Sequence, residues 1–282
     1  MIMENKKADL AVKLSSFNSQ YYKEVPSMVE THHFVDTFIH TIFPIRRNRV
    51  EDAGELELEL DRCSIRLKEL LYPLRKSMEK SPQEIVETFF SRLPGVFDQL
   101  IADAEMITRF DPASSCLEEI ILCYPGFYCI AVYRMAHILY ELNVPLLPRV
   151  IAEYAHGKTG IDINPGASID SPFFIDHGTG IVIGETAVIG KQVKIYQGVT
   201  LGALTVEKDM ANTKRHPTIE DNVIIYAGST ILGGKTVIGH DTVVGGNTWI
   251  TESILPHSVV YRQHRVVVRD NKNFKEPIDF VI

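Results

Sequence analysis

The stretch Gly180-Ile181-Val182-Ile183-Gly184-Glu185-Thr186-Ala187-Val188-Ile189-Gly190-Lys191-Gln192-Val193-Lys194-Ile195-Tyr196-Gln197-Gly198-Val199-Thr200-Leu201-Gly202 carries an aliphatic residue at every sixth position: Ile183, Ile189, Ile195, Leu201. The same beat precedes it at Ile163, Ile169 and Ile175, and resumes at Ile219, Ile225, Ile231 and at Ile238, Val244, Ile250. Glycine often follows directly, as at Gly184, Gly190, Gly202, Gly239 and Gly245. A small or branched residue often comes four places after the aliphatic one, as at Ala167, Ala187, Val193, Val199, Val223, Ser229, Thr242 and Thr248. Period six is the mark of a parallel β-helix, in which three hexads close one triangular coil and each aliphatic side chain points into the prism. Successive coils then pair at the strand spacing of about 4.8 Å, and tight corners favour glycine because it tolerates positive φ. Strands of a sandwich would alternate with period two and be joined by hairpin turns.

Outside this stretch the period changes. Residues 1–157 read as helical. Val35, Phe38, Ile39 and Ile42 share one helical face, and Leu56, Leu60, Cys63, Leu67 and Leu71 keep helical spacing. Ser81-Pro82-Gln83-Glu84 combines an N-cap serine, a proline in the first turn and a glutamate three places on. That helix is expected to end near Leu93-Pro94-Gly95, with another running to about Phe110 before Asp111-Pro112 breaks the chain. Two helices are expected to flank Pro125-Gly126, and the last to end at Gly157. The coils fill residues 158–262. Residues 203–217 have no beat and are polar, so they must leave a corner as an extruded loop. Residues 263–282 are expected to form a final short strand at Val266–Val268 and a flexible tail. The fold class is therefore α+β: an N-terminal α-helical domain followed by a β-helix with one extruded loop.

The chain has 282 residues, 45% of them apolar, and a formal net charge of −7, a balance that does not favour nucleic acid as a partner. No apolar run is as long as a membrane span, and Met1 to Lys13 holds no secretory core segment, so a cytoplasmic protein is expected. The four cysteines, Cys63, Cys116, Cys123 and Cys129, form no C-x-x-C pair and are expected as reduced thiols, most of them buried.

Asp176-His177-Gly178 falls where the beat slips, between Ile175 and Ile183, which makes His177 a candidate for chemistry. Asp162 precedes His177 by nearly one coil, a separation that suits a carboxylate orienting an imidazole. Arg215-His216, at the end of the loop, offers a cation and a second imidazole.

At these residues the chain resembles the serine O-acetyltransferases, hexapeptide-repeat acyltransferases that make O-acetylserine for cysteine synthesis. The resemblance covers most of the chain from Asp111 to His257. It rests on Asp111-Pro112-Ala113, Tyr133-Arg134-Met135-Ala136-His137, Gly160 to Ala167, Ile175 to Gly190, Gln197 to Gly202 and Arg215-His216-Pro217. It implies a left-handed β-helix. It also implies His177 as general base with Asp162 as its dyad partner, and Asp111 and Asp176 as carboxylates for the serine ammonium. Arg215 is similar to the residue pairing with the serine carboxylate, and His216 to the second active-site histidine. Gly202, Ala203, Ala227 and Gly228 are similar to positions holding acetyl-CoA, the expected co-substrate, and no metal is expected. Two segments depart from the family: Ala203-Leu204 replaces a glycine-rich start of the loop, and Tyr261-Arg262-Gln263-His264-Arg265 replaces a Gly-x-Pro-Ala segment.

Further implications are a homotrimer or dimer of trimers, feedback inhibition by cysteine, and O-acetylserine sulfhydrylase bound through Ile282. Acyl transfer to homoserine or a sugar stays open at this point, although a set of two carboxylates and an arginine suits a zwitterion. A metal-dependent hydratase would need three histidine ligands, for which His177, His216 and His240 are available at uneven spacing. A non-catalytic scaffold is the remaining reading. A covalent acyl-cysteine route is disfavoured, because all four cysteines precede the coils.

Overall fold

The computed structural model describes residues 2–21, 25–47, 52–204 and 213–262. The expected strand at Val266–Val268, the tail with Ile282, and residues 205–212 of the loop lie outside the described residues.

Among the described residues seven α-helices come first: α1 (Ile2–Tyr21), α2 (Met28–Ile42), α3 (Ala53–Leu71), α4 (Pro82–Phe110), α5 (Leu117–Cys123), α6 (Pro125–Glu141) and α7 (Leu147–Thr159). The start of α4 is as read from sequence. The Ser81 hydroxyl accepts the Glu84 N–H, and the Glu84 carboxylate accepts the Ser81 N–H. Its end is a correction, because α4 runs unbroken through Pro94 for 29 residues. Proline removes one backbone bond, but Phe89, Leu93, Leu100, Ala104 and Ile107 bury one face along the whole helix. That packing outweighs the local defect. The helix stops where Asp111, standing before Pro112, turns extended at φ −91° and ψ 110°. A second correction concerns the thiols: Cys63 and Cys129 are buried, whereas Cys116 and Cys123 are exposed.

The coils form three parallel sheets. Sheet I stacks β1 (Asp162–Ile163), β4 (Val182–Ile183), β7 (Thr200–Gly202), β10 (Thr230–Leu232) and β13 (Trp249–Ile250). Sheet II stacks β2 (Ser168–Ile169), β5 (Val188–Ile189), β8 (Thr218–Ile219) and β11 (Val237–Ile238). Sheet III stacks β3 (Phe173–Asp176), β6 (Val193–Tyr196), β9 (Ile224–Ile225), β12 (Val243–Val244) and β14 (Val259–Val260). The aliphatic beat is the register. Ile163, Ile183, Leu201, Ile231 and Ile250 align up sheet I; Ile169, Ile189, Ile219 and Ile238 up sheet II; Ile175, Ile195, Ile225 and Val244 up sheet III. All are buried, as are the small residues four places on. Among the described residues no helix is long and apolar enough to cross a membrane.

The helices grip the first coil. Arg134 of α6 and Asp103 of α4, both buried, form a two-pronged ion pair with bonds of 2.8 and 3.0 Å. Asp103 also accepts the Phe173 N–H and the Ser171 hydroxyl, and Arg134 donates to the carbonyls of Ile169 and Asp170. Gly126 opens α6 directly on β3: a Cβ there would lie 2.4 Å from the Ile175 carbonyl oxygen.

Candidate active site

Two corners of the prism carry the residues singled out above. Sheet I lies between them. At the corner joining sheet III to sheet I, eight residues separate Ile175 from Ile183 instead of six. The two extra residues push His177 outward, so its side chain is 70% exposed and its backbone sits at φ 54°. Gly178, at φ +88°, packs so closely on Ile161 that a Cβ would come within 2.4 Å of Ile161 Cδ1. His177 is thus fixed one coil above the start of β1.

Its Nδ1 stands 3.6 Å from Asp176 Oδ1. Asp162, next to Ile161, pairs instead with Arg149 of α7 at 3.7 Å, and no ion pair among the described residues joins it to His177. Burial raises the Asp176 carboxyl above its ordinary range, His177 pulls it down, and Asp111 raises it again as a like charge. Asp111, at the end of α4, is drawn toward this corner through Tyr124, which precedes the Pro125-Gly126 start of α6 packed on Ile175. Its carboxylate accepts the Ala113 N–H at 2.8 Å and the Tyr124 hydroxyl at 2.6 Å. Burial first, and Asp111 second, push the Tyr124 phenol upward, so it stays a donor. Two carboxylates and an exposed imidazole make a site for a cation next to a base.

The second corner joins sheet I to sheet II, and Thr186 is its hub. The Thr186 hydroxyl accepts the N–H groups of Arg215 (2.9 Å) and His216 (3.1 Å) and lies 2.9 Å from His216 Nδ1. The Thr186 N–H donates to the same Nδ1 at 3.0 Å, so the neutral ring carries its proton on Nε2. His216 is only 8% exposed. Burial, with Arg215 adding to it, lowers its pKa to about 4. Arg215 pairs with Glu185, which also accepts the Tyr140 hydroxyl. Gly184 is required here: a Cβ would meet His216 Cδ2 at 2.0 Å.

The positions compared with acetyl-CoA contacts divide between the corners. Gly202 and Ala203 leave β7 at the His216 corner. Ala227 and Gly228 lie at the His177 corner, where the Gly228 N–H donates to the Gln197 carbonyl and the Asn247 N–H to the Ala227 carbonyl. The three histidines of the hydratase reading sit on three different corners: His177 and His216 as above, and His240 between β11 and β12. Sequence reasoning gave no role to Tyr124, Glu185 or Thr186. Glu185 and Thr186 stand inside the Ile175 to Gly190 segment that carries the resemblance, which was the only signal they offered. The Tyr124 contact spans 13 residues across a helix junction, with no periodic signal.

Three parallel sheets in hexad register behind a helical domain define the class, a hexapeptide-repeat β-helix protein. The chain belongs to the serine acetyltransferase family. It is 41% identical over 183 residues to the serine acetyltransferase of Bacillus licheniformis, covering 65% of this chain and 83% of that one. It is 48% identical over 182 residues to the plasmid serine acetyltransferase of Synechococcus elongatus, covering 63% of this chain. The match spans 57% of that relative's length and 54–55% of two other cyanobacterial ones. The structure of Entamoeba histolytica serine acetyltransferase 1 in complex with L-cysteine superposes with a TM-score of 0.73 at 35% identity, over 81% of this chain and 86% of that one. The Neisseria gonorrhoeae enzyme in complex with serine gives 0.58 at 25% identity, over 82% and 95%. No protein-family model matches the chain.

Proposed function

We propose that this chain is a serine O-acetyltransferase that moves the acetyl group of acetyl-CoA to the hydroxyl of L-serine, supplying O-acetylserine for cysteine biosynthesis. The observation that carries the reading is Asp176 beside exposed His177 at one corner, with Asp111 brought to it through Tyr124 and the α6 start that packs on Ile175. The paired carboxylates take the ammonium, and the imidazole stands ready for the hydroxyl proton. Asp162, beside the residue on which Gly178 packs, turns toward His177 when Arg149 releases it and stabilises the imidazolium. Arg215 takes the serine carboxylate, for which a planar fork is suited, and His216 donates from Nε2. Gly202, Ala203, Ala227 and Gly228 line the acetyl-CoA path.

In the reaction the serine oxygen loses its proton to His177 and attacks the thioester carbonyl. The carbon–sulfur bond breaks, and His177 returns the proton to the CoA thiolate. An amino acid cannot touch both corners of one prism, so the site forms between neighbouring chains of a trimer, which helical domains pair into a hexamer. The functional division is 1–157 for assembly, 158–262 for catalysis and 263–282 for the tail, within a cytoplasmic enzyme. L-cysteine keeps the ammonium and carboxylate of serine and is held by the same groups as an inhibitor, as its presence in the Entamoeba structure suggests. The sulfhydrylase contact through Ile282 belongs to residues outside those described.

The test is acetyl-CoA consumption with serine, homoserine and an amino sugar side by side. Serine should be preferred at least tenfold; a preference for either of the others makes this an acetyltransferase of a different acceptor. Mixing His177→Ala and Arg215→Ala chains, assayed at a serine concentration where each alone turns over little, and letting them reassemble should restore part of the activity. No recovery in proven mixed trimers would place the whole site within one chain.

A further inference from the structure

The third corner of the prism, joining sheet II to sheet III, has no part in the proposed reaction. A column of left-handed residues climbs it: Gln192 (φ 58°), Asn222 (φ 56°), Asp241 (φ 56°) and His257 (φ 58°). Backbone bonds lock each rung to the one below, with the Asp241 N–H on the Asp221 carbonyl at 3.1 Å and the His257 N–H on the His240 carbonyl at 2.9 Å. At the top of the column the side chains converge. His240 Nδ1 is 2.7 Å from Asp241 Oδ2, and His257 Nδ1 is 3.7 Å from the same oxygen. One ligand atom from each of the three lies within 4.8 Å of the other two.

We propose that His240, Asp241 and His257 form a binding site for a late first-row divalent cation of the zinc type, which clips the last coil to the one before it. The donor set is right for such an ion, since imidazole nitrogens and one carboxylate are common zinc ligands and leave one position for water. Metal–ligand bonds of about 2.1 Å in a tetrahedron put the donors about 3.4 Å apart, and the distances of 2.7 and 3.7 Å bracket that value. A supporting shell is also built. Asn222 Nδ2 donates to Asp241 Oδ1 at 2.5 Å, which leaves Oδ2 for the ion, and Glu220 fixes the His240 backbone by accepting its N–H at 2.8 Å. The ligands stand on rigid coils, so little order is lost on binding.

The placement gives the clip a purpose. Leu255 and Val259 of the last described coil are 80% and 69% exposed, so these two side chains add little apolar burial to it. His257 belongs to it, whereas His240 and Asp241 belong to the coil below. An ion held by all three ties the last described coil to its neighbour, across a strand edge of the kind prone to fraying or pairing with another chain.

The experiment is a Zn²⁺ titration by calorimetry of the untagged, chelator-stripped full chain, beside the His240→Ala/His257→Ala double variant, Asp241→Asn and His156→Ala. His156 controls for a second group, Glu153, His156 and Asp162, that could also gather an ion. The expected result is one site per chain, weakened at least tenfold in the double variant and in Asp241→Asn and unchanged in His156→Ala. Saturating Zn²⁺ should also raise the unfolding temperature of the parent and not of the double variant. Both histidines are exposed, so the variants should fold, and an unchanged circular dichroism spectrum checks this. No binding to the parent, equal binding to the double variant, or loss only in His156→Ala would each overturn the proposal.

Discussion

Replacing Gly184 by alanine should expel the His216 ring from its seat. The added Cβ would stand 2.0 Å from Cδ2 and 2.1 Å from Nε2, whereas carbon contacts settle at about 3.5–4.0 Å. The ring must therefore shift by roughly 1.5 Å or more, and the backbone of β4 cannot yield instead, because Gly184 N–H is bonded to the Leu201 carbonyl at 3.0 Å. Such a shift breaks the Thr186 N–H bond to Nδ1 and the hydroxyl contact beside it. Losing the two contacts at about 1 kcal/mol each and straining the packing by about 1–3 kcal/mol gives a destabilisation on the order of 3–5 kcal/mol. Freed into water, the imidazole should titrate near 6.5 instead of about 4. Histidine-selective carbon-13 labelling followed through a pH titration reads that change, and thermal unfolding reads the stability. A Gly184→Ala variant whose His216 still titrates near 4, with an unchanged unfolding temperature, would refute the geometry of this corner.

His177→Ala should lower acetyl transfer by roughly a hundred- to ten-thousand-fold, the usual loss for a general base, with the circular dichroism spectrum unchanged; turnover within tenfold of the parent removes His177 from that role. Arg215→Ala should raise the Michaelis constant for serine far more than that for acetyl-CoA; the opposite split makes Arg215 a CoA-phosphate ligand. Asp103→Ala leaves Arg134 buried without its partner and should cost about 3–5 kcal/mol, read from the midpoint of urea unfolding. Between about pH 6.5 and 4 the unfolded chain binds a proton at His216 that the folded chain refuses. Stability should therefore fall as pH is lowered through that window, and His216→Gln should flatten the slope measured by unfolding at successive pH values.

The prism was legible because its signal is local and repeated. Each of Ile183, Ile189 and Ile195 fills the same niche, so one rule predicts every beat, and burial of all thirteen follows from it. The helices were less so. Pro94 is a sound stop signal by itself, and only the core against Phe89, Leu100 and Ile107 explains why α4 ignores it. Cys116 and Cys123 look like any small apolar residue in sequence, yet both fall at the ends of the short α5 and are exposed there.

The site was legible in part for the same reason. His177 announced itself through two surplus residues, and the loop before Arg215 through eighteen residues between Leu201 and Ile219 instead of six. Partners were harder to read, because they meet across coils: Thr186 and His216 are thirty residues apart, and Asp162 finds Arg149 on a helix. The two irregularities nevertheless share a logic. They sit at the two ends of sheet I, separated by Gly180 to Gly184, about 13 Å of extended chain at 3.3 Å per residue. The ammonium and carboxylate of an amino acid share one carbon and cannot bridge that span. On the proposed reading, the carboxylates at one corner and the guanidinium at the other serve a single substrate only if a second prism brings its own corner alongside. The placement of the insertions then makes the assembly part of the active site.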